Sequence, residues 1–467
     1  MIDFSETICA LSTPQGSGAI AVIRLSGTKA IAIAQAVFVG KDLSQQAGQS
    51  LHFGRIEEDG KLIDEVLLSL FRSPHSYTGE DLVEISCHAS PYIVESLLDL
   101  LIRKGARLAE AGEFTMRAYK SGKMDLAQAE GVADLIASES AAAHQLAMNQ
   151  MRGGFSERIQ SLRHELIQFA SLIELELDFG EEDVEFADRS DLKTLVNNIL
   201  KMTTHLLSSF SSGNVIKNGI PVAIVGAPNV GKSTLLNTLL NEEKAIVSEI
   251  AGTTRDSIED VMKINGLSFR FIDTAGIRET QDQVEGIGIK RTFEMIKKSL
   301  LVLYLIDCTS FESKSLLNNV RNIQQKIAGT EKQLFLILNK SDEIGEQQKK
   351  QLLEILKSFK LQHPPIFISA LKQEGLDILQ QALSGFAAEK LPQSNQVVVS
   401  NMRHLQALRK VEEALLRVKE GLEENISGDF LAMDIRQALH YLGEITGSIE
   451  IDRDILGNIF SQFCIGK

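Results

Sequence analysis

Residues 222–234 read Val222-Ala223-Ile224-Val225-Gly226-Ala227-Pro228-Asn229-Val230-Gly231-Lys232-Ser233-Thr234. An apolar run, a loop bounded by glycines and a lysine-serine pair predict a buried strand, a phosphate-binding loop and the start of a helix. In such a loop, backbone N–H groups surround the phosphates, the lysine contacts the β and γ oxygens, and the serine hydroxyl contacts Mg²⁺. Leucines continue the pattern at helical spacing, at Leu235, Leu236, Leu239 and Leu240. The stretch therefore predicts a nucleotide site.

Length and composition bound the possible classes of protein. A chain of 467 residues is too long to fold around one compact core, and its length suggests about three domains. Its formal net charge of −14 argues against a protein that coats nucleic acid through its own field. Its 4 cysteines form no C-x-x-C pair, and no signal peptide or membrane-spanning run is predicted. We therefore expect a cytoplasmic protein.

Residues 1–118 alternate short strands and helices and predict an α+β domain. The predicted strands are 19–25, 62–71 and 82–86, and the predicted helices are 28–37 and 92–103. Arg24, Glu84 and His88 lie on or beside these strands. From the pattern alone they are surface or paired residues.

Two helical stretches flank an α/β segment. Residues 119–215 and 388–467 carry apolar side chains three and four apart, which predicts core-facing helix stripes. Residues 216–387 alternate strands with helices and predict a doubly wound domain. Because an insertion is tolerated at an exposed loop whose ends lie close together, we expect a discontinuous helical bundle interrupted by this domain.

Further motifs follow the phosphate loop in the order typical of guanine-nucleotide-binding proteins. They are Gly252-Thr253-Thr254, Asp273-Thr274-Ala275-Gly276, Asn339-Lys340-Ser341-Asp342 and Ser369-Ala370-Leu371. Asp273 is suited to hold Mg²⁺ through water, Thr254 to complete the metal shell, and the Gly276 N–H to face the γ-phosphate. The Asp342 carboxylate can accept from both N1–H and N2–H₂ of guanine, whereas adenine offers neither donor. The predicted nucleotide is GTP, on a Ras-like G domain.

Three local features refine this prediction. Asn265-Gly266 between two apolar runs predicts a hairpin, and so an antiparallel edge strand on a mostly parallel sheet. Leu371 replaces the lysine that more often ends its motif, so we expect weaker packing on the base and ribose. Ile277 occupies the position where Ras-like enzymes carry the water-orienting glutamine. Another residue must then position the hydrolytic water or neutralise charge on the phosphates. The candidates near these motifs are Arg255, Asp256, Arg278 and Glu285.

With the N-terminal α+β unit, the split helices and the run Phe463-Cys464-Ile465-Gly466-Lys467, the chain resembles the MnmE (TrmE) family of bacterial tRNA wobble-uridine modification GTPases. The resemblance implies a homodimer formed through the N-terminal domain. It also implies an FAD-dependent MnmG-type subunit, in a heterotetramer or larger complex that handles tRNA. The chain and the FAD-dependent subunit together would add an aminomethyl or carboxymethylaminomethyl group to C5 of the wobble uridine.

The resemblance also implies site residues. The N-terminal domain would bind 5-formyltetrahydrofolate or a related tetrahydrofolate through Arg24, Glu84, Lys123 and Lys467, although His88-Ala89-Ser90 departs from the family's His-Gly-Gly. K⁺ would replace an arginine finger, with ligands Asn229, Ser248, Ile250 and Thr253, and Mg²⁺ would be held by Ser233 and Thr254. Glu285 matches the water-orienting glutamate and Cys464 the essential cysteine. The remaining nucleotide-contacting positions would be Val230, Gly231, Lys232, Thr234, Glu249, Ala251, Gly252, Thr274, Ala275, Lys340, Ser369 and Ala370.

Two other classes of function fit part of the pattern. A ribosome-assembly GTPase would carry the same nucleotide motifs, but it usually has a basic RNA-binding domain, and no such segment is visible in the sequence. A stand-alone folate-dependent aminomethyltransferase would use the G domain only as an accessory. Analysis of tRNA wobble nucleosides separates these alternatives from a tRNA-modifying GTPase.

Overall fold

A computed structural model describes residues 4–16, 18–178, 189–244, 260–272, 285–390, 397–424, 426–449, 453–461 and 463–466. The chain divides into two compact units. The first, here the N-terminal/helical unit, comprises residues 1–137, 147–207 and 402–467, and the second, the G-domain unit, comprises residues 138–146 and 208–401. The predicted domain boundaries at 118, 215 and 387 stay predictions.

A seven-stranded sheet dominates the first part of the N-terminal/helical unit. Its strands are β1 (Ile8–Leu11), β2 (Ile20–Ser26), β3 (Phe38–Val39), β4 (Ser50–Glu58), β5 (Lys61–Phe71), β6 (Leu82–His88) and β7 (Arg107–Leu108). Their spatial order is β3-β4-β5-β6-β2-β1-β7, and only β1 and β7 pair in parallel. Asp59 and Gly60 both have positive φ, 47° and 79°, in the turn between β4 and β5. This is the two-residue hairpin geometry that Asp-Gly predicts.

The two faces of this sheet differ because side chains alternate along each strand. One face packs against α1 (Ala30–Gln35) and α2 (Pro91–Arg103) and buries an apolar core. The opposite face keeps large apolar side chains exposed, at Ile20, Leu51, Phe53 and Leu67. A short 3₁₀ helix, Leu43–Gln45, lies in the connection between β3 and β4. The sheet is therefore covered fully on one side and only partly on the other.

Helices make up the rest of this unit. They are α3 (Glu113–Lys120), α4 (Leu126–Ala137), α6 (Gly154–Asp178), α13 (Met402–Glu423), α14 (Gly428–Thr446) and α15 (Arg453–Ser461). Two further helices have residues in both units, α5 (Ala141–Met151) and α7 (Arg189–Asn218). Helix α14 packs against α13, α6 and α4. Helices from both sides of the inserted segment thus form one bundle, which confirms the predicted discontinuous architecture.

The predicted helix stripes form the core of this bundle. The buried positions include Ile159, Leu162, Leu166, Phe169 and Ile173 on α6 and Leu405, Leu408, Val411, Leu415, Val418 and Leu422 on α13. Their spacing of three and four residues places them on one face of each helix. Burial of each such leucine or phenylalanine contributes about 1.5–3 kcal/mol.

A buried ion cluster joins distant parts of the bundle. The Glu130 carboxylate on α4 lies 2.8 Å from Arg403 Nε and 2.7 Å from His404 Nε2, both on α13. Arg403 also donates to the Glu444 and Ile445 carbonyls in the last turn of α14, at 2.6 and 2.9 Å. Burial acts to raise the pKa of Glu130, but His404 and Arg403 outweigh it and lower that pKa to about 2. The carboxylate is therefore held ionised inside the bundle.

The G-domain unit contains a six-stranded sheet in the order β13-β12-β11-β8-β10-β9. Its strands are β8 (Ile220–Gly226), β9 (Asp260–Ile264), β10 (Leu267–Phe271), β11 (Leu301–Asp307), β12 (Gln333–Asn339) and β13 (Ile366–Phe367). Its helices are α8 (Lys232–Lys244), α9 (Glu285–Lys298), α10 (Ser313–Ile327), α11 (Glu346–Leu356) and α12 (Leu376–Lys390), with a 3₁₀ turn at Ser341–Glu343. Among the strands that the structure describes here, β9 alone runs antiparallel, at the edge, and the turn that joins it to β10 contains Asn265 and Gly266 with φ of 49° and 77°. The predicted hairpin and doubly wound sheet are confirmed.

Both faces of this sheet are covered by helices, as a mostly parallel sheet requires. Strands β8, β11 and β12 are buried along nearly their whole length, and separate apolar cores form on the two sides. Within the parts of the chain that the structure describes, none of the helices is long and apolar enough to cross a membrane.

Candidate functional site

The phosphate loop connects β8 to α8, at the carboxyl end of a central parallel strand. Gly226 and Gly231 have φ of 155° and 97°, and Asn229 has φ of 60°. A Cβ at Gly226 would lie 2.5 Å from the Leu305 carbonyl oxygen, and one at Gly231 would lie 2.3 Å from Asn339 Nδ2. Glycine is therefore required at both ends, and the resulting loop presents the N-terminus of α8, a suitable place for an anion.

Lys232 folds back over this loop. Its Nζ donates to the Gly226 and Ala227 carbonyl oxygens, at 3.0 and 2.8 Å. Burial lowers the pKa of Lys232, because the charged ammonium loses hydration. Ser233 and Thr234 occupy the first turn of α8 behind it. The lysine is thus held where phosphate oxygens would replace the loop carbonyls as its partners.

Asn339 links the phosphate loop to the loop that follows β13. Its Nδ2 donates to the Val230 carbonyl at 2.7 Å, and its Oδ1 accepts from the Ala370 N–H at 3.0 Å. The Thr238 hydroxyl donates to the Ala370 carbonyl at 3.2 Å. Asn339 is buried, so these contacts are shielded from water. One side chain therefore fixes the relative position of the phosphate side and the base side of the site.

Lys340 and Asp342 lie at the end of β12. Lys340 has φ of 60°, and its Nζ lies 2.5 Å from Asp307 Oδ2. Burial opposes ionisation of Asp307, but hydrogen bonds from Lys340 and Thr309 lower its pKa overall. Asp342 is in the 3₁₀ turn, and its Oδ2 lies 3.2 Å from Lys372 Nζ. The Ser369 hydroxyl, and to a smaller degree Lys372, lower the pKa of Asp342.

A second cluster lies on the partly covered face of the N-terminal sheet. Arg24 on β2 pairs with Glu84 on β6, with its Nε and Nη2 at 2.9 and 2.7 Å from Glu84 Oε1. The Arg24 guanidinium carbon lies 5.2 Å from the centre of the Tyr77 ring and 5.6 Å from that of Phe114. Lys123 Nζ donates to the Pro74 carbonyl at 2.9 Å. A charged pair flanked by aromatic rings is thus available on this face.

Residues 463–466 contact the same N-terminal sheet. Ile465 forms an antiparallel bridge with Ala111, and the Ser12 hydroxyl donates to the Gly466 carbonyl at 3.1 Å. Gly466 has φ of 98°, and a Cβ there would lie 2.2 Å from the Leu11 carbonyl oxygen. Phe463 is buried with Phe460 and Leu126, whereas Cys464 is exposed. A side chain at 466 would therefore displace this run from β1.

The structure brings the described site residues into two groups. Asn229, Lys232, Ser233, Asn339 and Asp342 lie around one end of the G-domain sheet. The other predicted nucleotide-contacting positions at this end are Val230, Gly231, Thr234, Lys340, Ser369, Ala370 and Leu371. Arg24 and Glu84 are in direct contact on the N-terminal sheet, and Lys123 and Cys464 belong to the same unit.

Other predicted residues lie outside the described residues. These are Ser248, Glu249, Ile250, Ala251, Gly252, Thr253, Thr254, Arg255, Asp256, Asp273, Thr274, Ala275, Gly276, Ile277, Arg278 and Lys467. Glu285 begins α9, but its side chain is also outside the described part.

Sequence reasoning missed two residues of the nucleotide site. Lys372 contacts Asp342, and Asp307 contacts Lys340. No local signal pointed to Lys372, because its contact with Asp342 depends on the turn closed between Ser369 and Glu374. The signal for Asp307 was the position of an acidic residue at the end of β11, beside the end of β12.

A glycine-bounded phosphate loop, an asparagine and an aspartate on the base side, and a doubly wound sheet define a P-loop GTP hydrolase. A family model described as MnmE helical domain matches residues 126–464, and one described as GTP-binding protein TrmE N-terminus matches residues 7–123. The chain belongs to the MnmE family.

Curated relatives are similar over the whole length. Proteins from Flavobacterium psychrophilum, Christiangramia forsetii and Bacteroides thetaiotaomicron are 54%, 55% and 52% identical, respectively. Each alignment covers 99% of this chain and 100%, 99% and 99% of the relative, and each relative is named tRNA modification GTPase MnmE. Among solved structures, an Aquifex aeolicus Era variant bound to GDP and AlF₄⁻ is 30% identical over 42% of this chain and 66% of that chain, with a TM-score of 0.28.

Proposed function

We propose that this GTPase works with an FAD-dependent, MnmG-type subunit to add an aminomethyl or carboxymethylaminomethyl group to C5 of the tRNA wobble uridine, using a one-carbon unit from tetrahydrofolate. The observation that carries the proposal is the contact of residues 463–466 with the N-terminal sheet. It brings the exposed Cys464 into the same unit as the Arg24–Glu84 pair. A regulatory GTPase without group-transfer chemistry has no evident use for that arrangement.

The nucleotide part of the proposal rests on the phosphate loop. Gly226 and Gly231 leave no room for a side chain, so the backbone can follow the tight path that a phosphate-binding loop requires before the N-terminus of α8. Ser233 and Thr254 would hold Mg²⁺, which neutralises charge that develops on the phosphates. Lys232 would bind the β and γ oxygens, and Asp342 would accept from the guanine edge.

We assign K⁺ binding to Asn229, Ser248, Ile250 and Thr253. Asn229 is an exposed non-glycine residue in left-handed conformation at the crest of the phosphate loop, which frees its amide side chain for a ligand above the phosphates. Amide and backbone oxygens suit a hard cation. Ile277 cannot orient water, so Glu285 would do so, with Arg278 as a further switch residue.

The folate part of the proposal rests on Arg24, Glu84, Lys123 and Lys467. The guanidinium between the Tyr77 and Phe114 rings fits an aromatic ligand that also carries carboxylates. The tetrahydrofolate would supply the one-carbon unit when bound. Arg24 and Lys123 would bind its carboxylates, and Cys464 as the thiolate is a nucleophile or proton-transfer group.

We infer a homodimer formed through the partly covered face of the N-terminal sheet. The exposed Leu51, Phe53 and Leu67 lie on the neighbouring strands β4 and β5, and Ile20 lies on β2, with β6 between β5 and β2. Exposed apolar side chains on one face of a sheet mark interaction surfaces. The net charge of −14 favours binding of tRNA through the FAD-dependent subunit, in a heterotetramer or larger cytoplasmic complex. The proposed domains are 1–118, 119–215, 216–387 and 388–467.

The test is mass analysis of tRNA nucleosides from a strain that lacks this gene. We expect the C5-modified wobble uridines to disappear and to return with the intact gene, but not with a Cys464→Ser variant. Unaltered wobble nucleosides together with defective ribosomal subunits would overturn the proposal in favour of ribosome assembly.

A further inference from the structure

Two residues of one turn act on the Asp342 carboxylate. Lys372 Nζ lies 3.2 Å from Asp342 Oδ2, and the Lys372 N–H donates to Ser369 Oγ at 3.2 Å. The Ser369 hydroxyl lowers the pKa of Asp342. Lys372 therefore contacts the carboxylate directly through its ammonium group, and its backbone N–H also binds the serine that acts on the same carboxylate.

A tight turn holds Lys372 in this position. Ser369 and Glu374 exchange backbone hydrogen bonds of 3.0 and 3.1 Å, so residues 369–374 form a closed loop. Gln373 has φ of 60°, and Gly375 has φ of 73° with the Phe367 carbonyl 2.4 Å from the position of a Cβ. The backbone therefore determines which residue faces Asp342. That residue is Lys372, while the Leu371 side chain is 81% exposed.

This pair differs from an ordinary surface ion pair. Pairs of fully solvated charges contribute about 0–1 kcal/mol, because water competes for both partners. Lys372 is 56% exposed, but Asp342 is only 10% exposed. The Asp342 side chain is therefore largely covered by protein, and its protein partners hold the carboxylate in one orientation.

We propose that Lys372 is the cation of the base site and sets its preference for guanine. An ionised carboxylate has about four lone-pair directions, and Lys372 occupies one of them. Two of the others can accept N1–H and N2–H₂ of guanine together. Lys372 acts as a positioning residue through Asp342, and it compensates for the leucine at position 371. The inference rests on GTP binding alone and needs neither tRNA nor folate.

The test compares binding of GDP and IDP to the full chain by displacement of a fluorescent guanine nucleotide. IDP lacks the 2-amino group, so Asp342 can accept only one hydrogen bond from it. In Lys372→Ala we expect the Kd for GDP to rise about tenfold, because one charge-assisted contact to Asp342 is lost. The Kd for IDP should rise less. The ratio of the two affinities therefore falls, and Lys372→Arg restores most of it.

Lys357→Ala is the matched control, because Lys357 is an exposed lysine of the same unit that pairs with Glu354. It should leave both affinities unchanged. An unchanged GDP-to-IDP ratio in Lys372→Ala would overturn the proposal, as would an equal fall in Lys357→Ala. If Lys372→Ala melts at a lower temperature than the wild type without nucleotide, Lys372→Met is used in its place. Methionine keeps the apolar part of the lysine side chain. Failure of tRNA modification would leave this result unaffected.

Discussion

At the scale of single residues, Asn229 carries the proposed cation dependence. It combines a left-handed backbone with an exposed side chain in the phosphate loop. We expect wild-type GTP turnover to be at least about tenfold faster in KCl than in NaCl, since a cation here would take over the charge neutralisation of an arginine finger. In Asn229→Ala the two rates should become equal.

GTP hydrolysis in matched KCl and NaCl buffers measures this effect. Asn322→Ala, an exposed asparagine on α10, is the control and should keep the wild-type ratio. If the wild-type protein turns over GTP equally fast in both salts, the assignment of Asn229 is wrong.

Glu285 is the residue to which the hydrolytic water is assigned. Glu285→Ala should bind GTP normally but hydrolyse it about 100-fold more slowly, because an unpositioned water reacts less often. Single-turnover hydrolysis with a separate binding titration distinguishes the two effects. Glu294→Ala, an exposed glutamate on the same helix, should behave as wild type. Normal turnover in Glu285→Ala would remove this residue from the mechanism.

The roles of single residues could be predicted from sequence only where a motif fixes the neighbours. The positions of Lys232 and Asp342 follow from their motifs, and the structure places both at the expected end of the sheet. Lys372 could not be predicted, because its contact depends on a turn closed between Ser369 and Glu374. The position of Leu371 suggested a weakened site, and nothing in the spacing indicated that the next residue would face Asp342.

At the scale of helices, the Glu130 cluster holds α4, α13 and the end of α14 together. Glu130→Ala would leave Arg403 and His404 buried without their anion, which typically costs about 3–5 kcal/mol. We expect faster hydrogen exchange in peptides from α4 and α13, with peptides from α10 as an internal reference. Glu423→Ala, at an exposed position on α13, should leave exchange unchanged.

The same cluster gives a dependence of stability on pH. The pKa of Glu130 is about 2 in the folded chain and 4.5 for an ordinary glutamate. Because folding depresses this pKa, the stabilisation is fully present above about pH 4.5 and decreases as the pH falls toward 2. Thermal unfolding between pH 7 and pH 3.5 should show a loss in the wild type that is smaller in Glu130→Gln. Parallel curves for the two proteins would contradict this origin of the acid sensitivity.

Elements were predictable where a local pattern fixes them. Asn265-Gly266 gave the hairpin, and spacings of three and four residues gave the stripes on α6 and α13. The Glu130 cluster was not predictable, because Glu130 and Arg403 are 273 positions apart and neither belongs to a local motif. Only the folded chain brings the two charges together.

At the scale of the whole molecule, the exposed sheet face determines the proposed assembly. Phe53 is 67% exposed on β4, so replacement by aspartate should cost the folded chain little while placing a charge in the dimer interface. We expect Phe53→Asp to shift the protein from dimer to monomer in light scattering at about 10 μM. A dimer with a Kd of about 1 μM or lower stays mostly associated at that concentration. Phe430→Asp, at a phenylalanine that is 61% exposed on α14, should remain dimeric. Dimers in both variants would exclude this face.

The connection of the chain also determines the order in which its parts can fold. The bundle needs α13 and α14 from beyond residue 401, whereas the G-domain unit is finished once residue 401 has been made. At roughly 5–20 residues per second, synthesis of residues 208–401 takes about 10–40 s. Throughout this interval the newly made α6 has its apolar stripe in place but not the helix α14 that covers it. The inserted arrangement therefore leaves the apolar face of the nascent α6 uncovered by α14 while the nucleotide-binding part is already able to fold.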